Sequence, residues 1–293
     1  MKNETSVQQK VQRNYKDTIF RMLFKEKENL LSLYNALNGT DYTDIGNLEI
    51  TTLENAVYMN YKNDISFVLA HELLLYEHQS AFNPNMPLRD LLYVSRVIQT
   101  RVRDDDLYSR KKVRIPAPRF IIFYNGTDNQ PEQQVLRLSE AFEKEQERPA
   151  LELVVNVYNI NFGHNPELLA ACRLLREYAQ YVQRVRTFAR TMPFPEAVER
   201  AVDDCIGNGI LADFLSKNRA EAIAVSIFEY DEEKHMKNER EEGREAGREE
   251  LARMLKSLMD AGETEALERA LSDRGYRESL YHEYMHGDSD KKK

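Results

Sequence analysis

The stretch 64–80 constrains the fold of this chain more than any other part of the sequence, and it runs DISFVLAHELLLYEHQS. Two apolar runs with strand-forming residues flank a short break, and this pattern predicts two β-strands that pair as a hairpin. A hairpin centred between Ala70 and His71 sets Asp64 directly opposite Glu77. Any fold for this chain must therefore accommodate two acids on neighbouring strands of one sheet.

The two facing acids are typical of a site for a hard cation. Residues that face each other across an antiparallel pair have Cβ atoms roughly 4.5–5.5 Å apart. Mg²⁺ is commonly held by one or two carboxylates together with waters and substrate phosphate oxygens. Gln79 follows Glu77 by two residues and is predicted to face the same side of the sheet, whereas His78 faces the other side.

The set Asp64 and Glu77-x-Gln79 resembles the PD-(D/E)XK phosphodiesterase core in its Glu-x-Gln variant. This resemblance implies that Asp64 and Glu77 bind Mg²⁺, with Mn²⁺ as a plausible substitute. It also places Gln79 where most enzymes of that superfamily carry a Lys. Gln can orient a water molecule but brings no positive charge, so the chemical step is expected to be weaker.

Three further short sequence motifs resemble those of the recombination-promoting nuclease/transposase (Rpn) family, and the resemblance covers roughly residues 10–240. The motifs are YEHQS at 76–80, PNMPLR at 84–89 and FYNG at 123–126. The resemblance implies a metal-dependent DNA endonuclease associated with recombination or mobile elements. The rival interpretation is a DNA-binding or protein-interaction module that keeps the fold with a weak or inactive site. The intact acid pair favours the enzyme, and the acidic net charge favours the rival.

Two more residues are predicted to belong to the catalytic group. The first helix of PD-(D/E)XK folds often brings an acid to the metal, and the resemblance gives that role to Asp17, with a helix cap or a surface acid as the alternative. Arg89 lies in the first turn of a helix that opens at Met86-Pro87, where it could contact the scissile phosphate or pair with Asp90 or another surface acid. The packed side of that helix is predicted from its apolar residues: Leu88, Leu91, Leu92, Ser95, Val97 and Ile98.

The order of elements predicts an α/β protein with a three-layer α/β/α core in residues 1–162, and the resemblance to PD-(D/E)XK enzymes implies that this core is restriction-endonuclease-like with a central mixed sheet. The apolar run 119–124 is typical of a strand buried on both faces, and it ends in Asn125-Gly126, which is either a site wall or a simple turn. Residues 163–230 are predicted to be helical, and they pack on the core, contact DNA or mediate a homodimer. Residues 231–293 are predicted to form a charged helical tail, weakened around Gly243 and Gly247.

Composition limits the partners. The net charge is −8, although phosphate binding relies on Lys and Arg, so DNA binding requires a local basic patch. A candidate patch follows the predicted site: Arg96, Arg101, Arg103, Arg110, Lys111, Lys112 and Arg114.

No apolar run has the ~20 residues that span a bilayer, and the N-terminus lacks the apolar segment of a signal peptide. Cys172 and Cys205 are predicted to be buried thiols, so a cytoplasmic location is expected.

Overall fold

The computed structural model describes residues 18–52 and 64–287, and within these ranges six strands form one mixed sheet. The strands are β1 (Glu49–Ile50), β2 (Ile65–Leu69), β3 (Glu72–Gln79), β4 (Ala117–Tyr124), β5 (Gln133–Arg137) and β6 (Val154–Asn159). Their order across the sheet is β1-β2-β3-β4-β6-β5. The pairs β3–β4 and β4–β6 are parallel and the other three are antiparallel, so β3, β4 and β6 end at the same edge.

Strands β2 and β3 form the predicted hairpin in the predicted register. Ile65 pairs with Tyr76 and Leu69 pairs with Glu72, so the next position along this register sets Asp64 opposite Glu77. The two-residue loop consists of Ala70 and His71, with φ of 50° and 65°. Positive φ at both loop residues is the signature of a type I′ turn, whose twist matches that of the flanking strands.

Helices lie against both faces of the sheet. The eleven helices of the described ranges are α1 (Thr18–Leu23), α2 (Lys27–Asn38), α3 (Met86–Arg101), α4 (Asp104–Leu107), α5 (Pro166–Ala171), α6 (Arg173–Phe188), α7 (Phe194–Gly207), α8 (Ala212–Lys217), α9 (Arg219–Asp260), α10 (Thr264–Ser272) and α11 (Arg274–Gly287). One apolar core joins α1, α2 and α5–α8 to one face of the sheet, and a second core joins α3 to the other face. The mixed α/β architecture is thus confirmed, with a helical layer on each side.

The orientation of α3 differs from the prediction. Leu88 and Leu92 were expected on its packed side, yet each is 47% exposed. The buried stripe instead consists of Met86, Pro87, Asp90, Tyr93, Val94 and Val97. Two apolar stripes compete on this helix, and the one containing Tyr93 is buried: its ring packs in the core and its hydroxyl lies 3.3 Å from the Ser66 hydroxyl on β2. The prediction is therefore wrong for Leu88, Leu92 and Ser95 and confirmed for Val97, which is buried, and for Leu91 and Ile98, which pack half-buried against the core.

The chain divides into two compact units, Met1–Glu229 and Tyr230–Lys293. In the second unit, Met254 and Ala270 are buried, the Tyr281 hydroxyl donates to the Glu250 carboxylate, and the Arg269 guanidinium lies 4.3 Å from the centre of the Tyr276 ring. The glycine-containing stretch that was predicted to weaken the tail lies inside α9. No helix of the described ranges is long and apolar enough to cross a membrane.

Both cysteines are buried free thiols in the core on the α6 side of the sheet. Burial raises the pKa of the Cys172 thiol and raises the pKa of Cys205 to about 11. A thiol that stays protonated at neutral pH is a poor nucleophile. Packing is the role that fits both residues.

The type I′ turn is a point where the sequence is not optimal for the conformation. A non-glycine residue in the left-handed region costs roughly 1–2 kcal/mol, and Asn-Gly is the preferred pair for this turn. We expect Ala70→Asn/His71→Gly to raise the free energy of unfolding by about 1 kcal/mol, measured as a higher urea midpoint at unchanged slope. Ala70→Val, which adds a β-branched side chain at the same φ, should lower it; the opposite order would contradict the turn assignment.

Candidate active site

The candidate site lies at the carboxyl end of β3, between the sheet and the first turn of α3. Alternation along β3 puts Leu73, Leu75, Glu77 and Gln79 on the face that α3 covers, because side chains two residues apart share a side of a strand. Leu73 and Leu75 belong to the core beneath α3. Two polar residues thus continue an apolar row at the edge where ligand sites of open α/β sheets occur.

Glu77 is the centre of this group and is only 7% exposed. Its Oε1 lies 3.2 Å from Nη2 of Arg89 and accepts a hydrogen bond of 3.2 Å from Nε2 of Gln79. Burial raises the pKa of Glu77, and the Arg89 guanidinium and the Gln79 amide oppose that rise. The partner of Arg89 in the structure is thus a buried acid of the candidate site, and not Asp90 or a surface acid, the acids that the sequence interpretation considered.

Asp64 takes the position that the hairpin register gives it. Its Oδ2 accepts a hydrogen bond of 2.9 Å from the backbone N–H of His78, which fixes the carboxylate at the end of β2 beside β3. The structure therefore brings Asp64, Glu77, Gln79 and Arg89 to one edge. Asp17, the fifth predicted residue, lies outside the described residues.

His78 faces the opposite side of the sheet, as its alternation with Glu77 and Gln79 predicts. Its Nε2 lies 3.0 Å from the Tyr178 hydroxyl on α6, and its ring packs against Phe20 with centroids 5.1 Å apart. The residue is buried. These contacts join α1, α6 and the sheet, and they place His78 in the packing rather than in the candidate site.

Asp90 is a residue of this region that the sequence interpretation missed. It is 4% exposed and lies on the buried stripe of α3 directly after Arg89. Burial and then the charge of Glu77 raise the pKa of Asp90 well above its ordinary value, while Arg89 opposes the rise. The available signal was its spacing from Met86, Tyr93, Val94 and Val97, which puts an acid on the apolar stripe.

The loop after β4 is locked in place beside the site. The Asn125 N–H donates to the carbonyl of Gln79 (2.8 Å), and the Asn125 carbonyl accepts from Nη2 of Arg186 on α6 (2.7 Å). A Cβ added at Gly126 would lie 2.3 Å from the Ser80 carbonyl oxygen, so only glycine fits there. Asn125 therefore continues the pairing of β4 with β3 beside the site, and its buried side-chain amide meets no hydrogen-bond partner among the described residues.

The predicted basic patch does not border the candidate site. Helix α3 begins next to β3's carboxyl end and runs back to Arg101, and β4 then starts at Ala117 at the opposite edge of the sheet. The residues that follow α3 are thus separated from Glu77 by the length of that helix. Within the patch, Arg101 is held by a bidentate pair with Glu49 at 2.9 and 3.0 Å.

Two polar atoms of the site are buried and meet no hydrogen-bond partner in the described part of the chain: Oε1 of Gln79, an acceptor, and Nε of Arg89, a donor. Buried polar groups nearly always have hydrogen-bond partners. We therefore expect a ligand to offer a donor or a cation to the Gln79 oxygen and an acceptor to the Arg89 Nε–H. Among residues 18–52 and 64–287, no three His, Cys, Asp or Glu side chains come together as a metal site. Any cation here would be completed by the Gln79 amide oxygen, waters or substrate oxygens.

The buried acid on α3 predicts a pH-dependent stability. The pKa of Asp90 is higher in the folded state than in the unfolded state. The proton on Asp90 therefore contributes fully to the free energy of unfolding below the ordinary carboxyl range, and this contribution is lost as pH rises from that range through the raised pKa. We expect the stability gained from Asp90→Asn to grow as pH rises above about 4, the ordinary range of an Asp carboxyl, reaching roughly 1–3 kcal/mol. Urea unfolding at several pH values measures this, with exposed Asp41→Asn as control; a gain independent of pH would refute it.

No protein-family model, no curated protein and no solved structure matches this chain. The resemblance to the Rpn family therefore stays a prediction that rests on the sequence motifs and on the residues grouped at the end of β3.

Proposed function

We propose that this chain is a metal-dependent nuclease that hydrolyses phosphodiester bonds of DNA at the carboxyl end of β3. The observation that carries the proposal is the group of Glu77, Gln79 and Arg89: the first two are buried, Arg89 contacts Glu77, and Asp64 lies opposite Glu77. A carboxylate and an amide under one helix turn are costly to bury. The binding of a cation and a phosphate at this position would account for the burial of these polar groups.

The side chains of the candidate site offer the kind of ligands that Mg²⁺ binds. This ion takes oxygen ligands and is commonly bound through one or two carboxylates with waters and substrate phosphate oxygens. Asp64 and Glu77 would supply the carboxylates, and the unpaired Oε1 of Gln79 is a further oxygen donor. A bound Mg²⁺ or Mn²⁺ would acidify a water molecule and stabilise negative charge on the phosphoryl group.

Arg89 and Gln79 would bind the phosphate and orient the attacking water, respectively. Arg89, which is partly exposed and contacts Glu77, would bind a non-bridging phosphate oxygen through its free Nε–H and neutralise charge that develops during the reaction. Gln79, held by its hydrogen bond to Glu77, would orient the attacking water. Because Gln brings no charge, its contribution is smaller than that of a Lys at this position.

A nucleic-acid-binding module without catalysis is the second candidate. Arg89 already neutralises Glu77 in the structure, and this ion pair would compete with a cation for the same carboxylate oxygen. A site held in that state would keep the fold and bind DNA through its basic residues. The two candidates differ in whether a divalent cation binds at Asp64 and Glu77.

Plasmid cleavage separates the two candidates. We expect the purified protein to nick supercoiled DNA with Mg²⁺ or Mn²⁺, and we expect Asp64→Asn and Glu77→Gln to reduce the rate at least about a hundredfold. Glu167→Gln, which changes an exposed acid on α5, should retain full activity. Circular dichroism would verify that the variants fold.

Metal-dependent stabilisation gives an independent readout. A cation at a hundred times its Kd should stabilise the wild-type protein by about 2.7 kcal/mol, and Asp64→Asn should abolish the effect. Equal nicking by wild type and variants would point to a contaminant or another site. Absence of both nicking and metal stabilisation would reject the enzyme and favour the binding module.

A further inference from the structure

The segment that runs from the end of α4 to β4 is basic and exposed. We call residues 107–115 the basic arm; its sequence is LYSRKKVRI, with four cations and no acid in a chain of net charge −8. Every residue of the arm is exposed. Tyr108 is 90% exposed and Leu107 65% exposed, the two highest values among the exposed large hydrophobic side chains of the described residues.

The cations of the arm are not used by the fold. Some arginines elsewhere in the described part of the chain form ion pairs with nearby acids, as Arg119 does with Glu72 and Arg184 with Asp204. Arg110, Lys111, Lys112 and Arg114 make no ion pair within the described residues. Four exposed positive charges without partners are available to an external polyanion.

Positive side chains beside an exposed aromatic ring match the chemistry of single-stranded nucleic acid. Phosphates are neutralised by Lys and Arg, and bases stack on aromatic rings without requiring a particular sequence. Tyr108 offers an open ring two residues before the first of the four cations. We propose that the basic arm binds single-stranded nucleic acid through these phosphate contacts and through stacking on Tyr108.

The position of the arm gives this interaction a role. Helix α3 has 16 residues and therefore a length of about 24 Å, with the candidate site near its first turn and the arm beyond its last. The arm would anchor the strand at a distance from the bond that is cleaved. This role rests on the proposed function, whereas binding itself does not require catalysis, and an arm that anchors the strand should affect KM rather than kcat.

Fluorescence anisotropy of a labelled dT20 oligonucleotide in EDTA tests the arm without metal or cleavage. The variant Arg110→Ala/Lys111→Ala/Lys112→Ala/Arg114→Ala is compared with a matched control that removes four exposed cations elsewhere: Lys144→Ala/Arg148→Ala/Arg200→Ala/Lys217→Ala. We expect the arm variant to weaken binding at least about tenfold and to flatten the salt dependence, whose slope reports about 0.7 per neutralised phosphate on a single strand. Loss of the same size in the control variant would overturn the proposal.

Tyr108 provides the second readout. We expect Tyr108→Ala to weaken binding about tenfold with an unchanged salt slope, and Tyr108→Phe to restore it, because stacking needs the ring and not the hydroxyl. Full binding by Tyr108→Ala would refute the stacking contact. Arm variants that lose binding to phosphatidylserine vesicles while still binding dT20 would instead assign the arm to a membrane surface.

The outcome is separate from that of the cleavage assay. If the arm variant loses dT20 binding and the wild-type protein nicks no plasmid, the proposal that the basic arm binds nucleic acid is supported and the proposed nuclease activity is rejected. If the wild-type protein nicks plasmid but the arm and control variants bind dT20 equally, the nuclease activity is supported and the binding role of the arm is rejected.

Discussion

The burial of Glu77 is the constraint on which the arrangement of this sheet edge depends. A carboxylate taken out of water loses several kcal/mol of hydration unless it is paired and hydrogen-bonded, and here Arg89 and Gln79 provide those contacts. Arg89 reaches Glu77 because α3 starts soon after β3 ends. The ion pair thus ties the rotation of the helix to the strand below it and sets Asp90, the next residue, against the core.

The hairpin is the part of the structure that the sequence predicted best. The register of a hairpin is fixed by its turn type and loop length, and the short break at Ala70 and His71 between the two apolar runs predicted the two-residue loop. The pairing of Ile65 with Tyr76 therefore followed from local pattern alone. The grouping of Asp64, Glu77 and Gln79 followed from that register, whereas the partner of Arg89 required the position of α3.

The features that were missed depend on tertiary contacts. Helix α3 carries two apolar stripes, and the packing of Tyr93 against the sheet, together with the ion pair between Arg89 and Glu77, decides which of them is buried. Strand β5 has the sequence QQVLR, of which only Leu136 is buried, so it lacks the apolar pattern that predicts a strand. It forms because its backbone pairs with the exposed edge of β6.

The two cysteines of the chain give it a practical property. Both are buried, and burial keeps their thiols protonated, so maleimide reagents, which attack thiolates, would leave the folded protein almost unmodified. A cysteine introduced at exposed Ser109 or at another surface position would then be the single reactive thiol without removal of Cys172 or Cys205. Spectroscopic probes can therefore be attached at one chosen place in an otherwise native core.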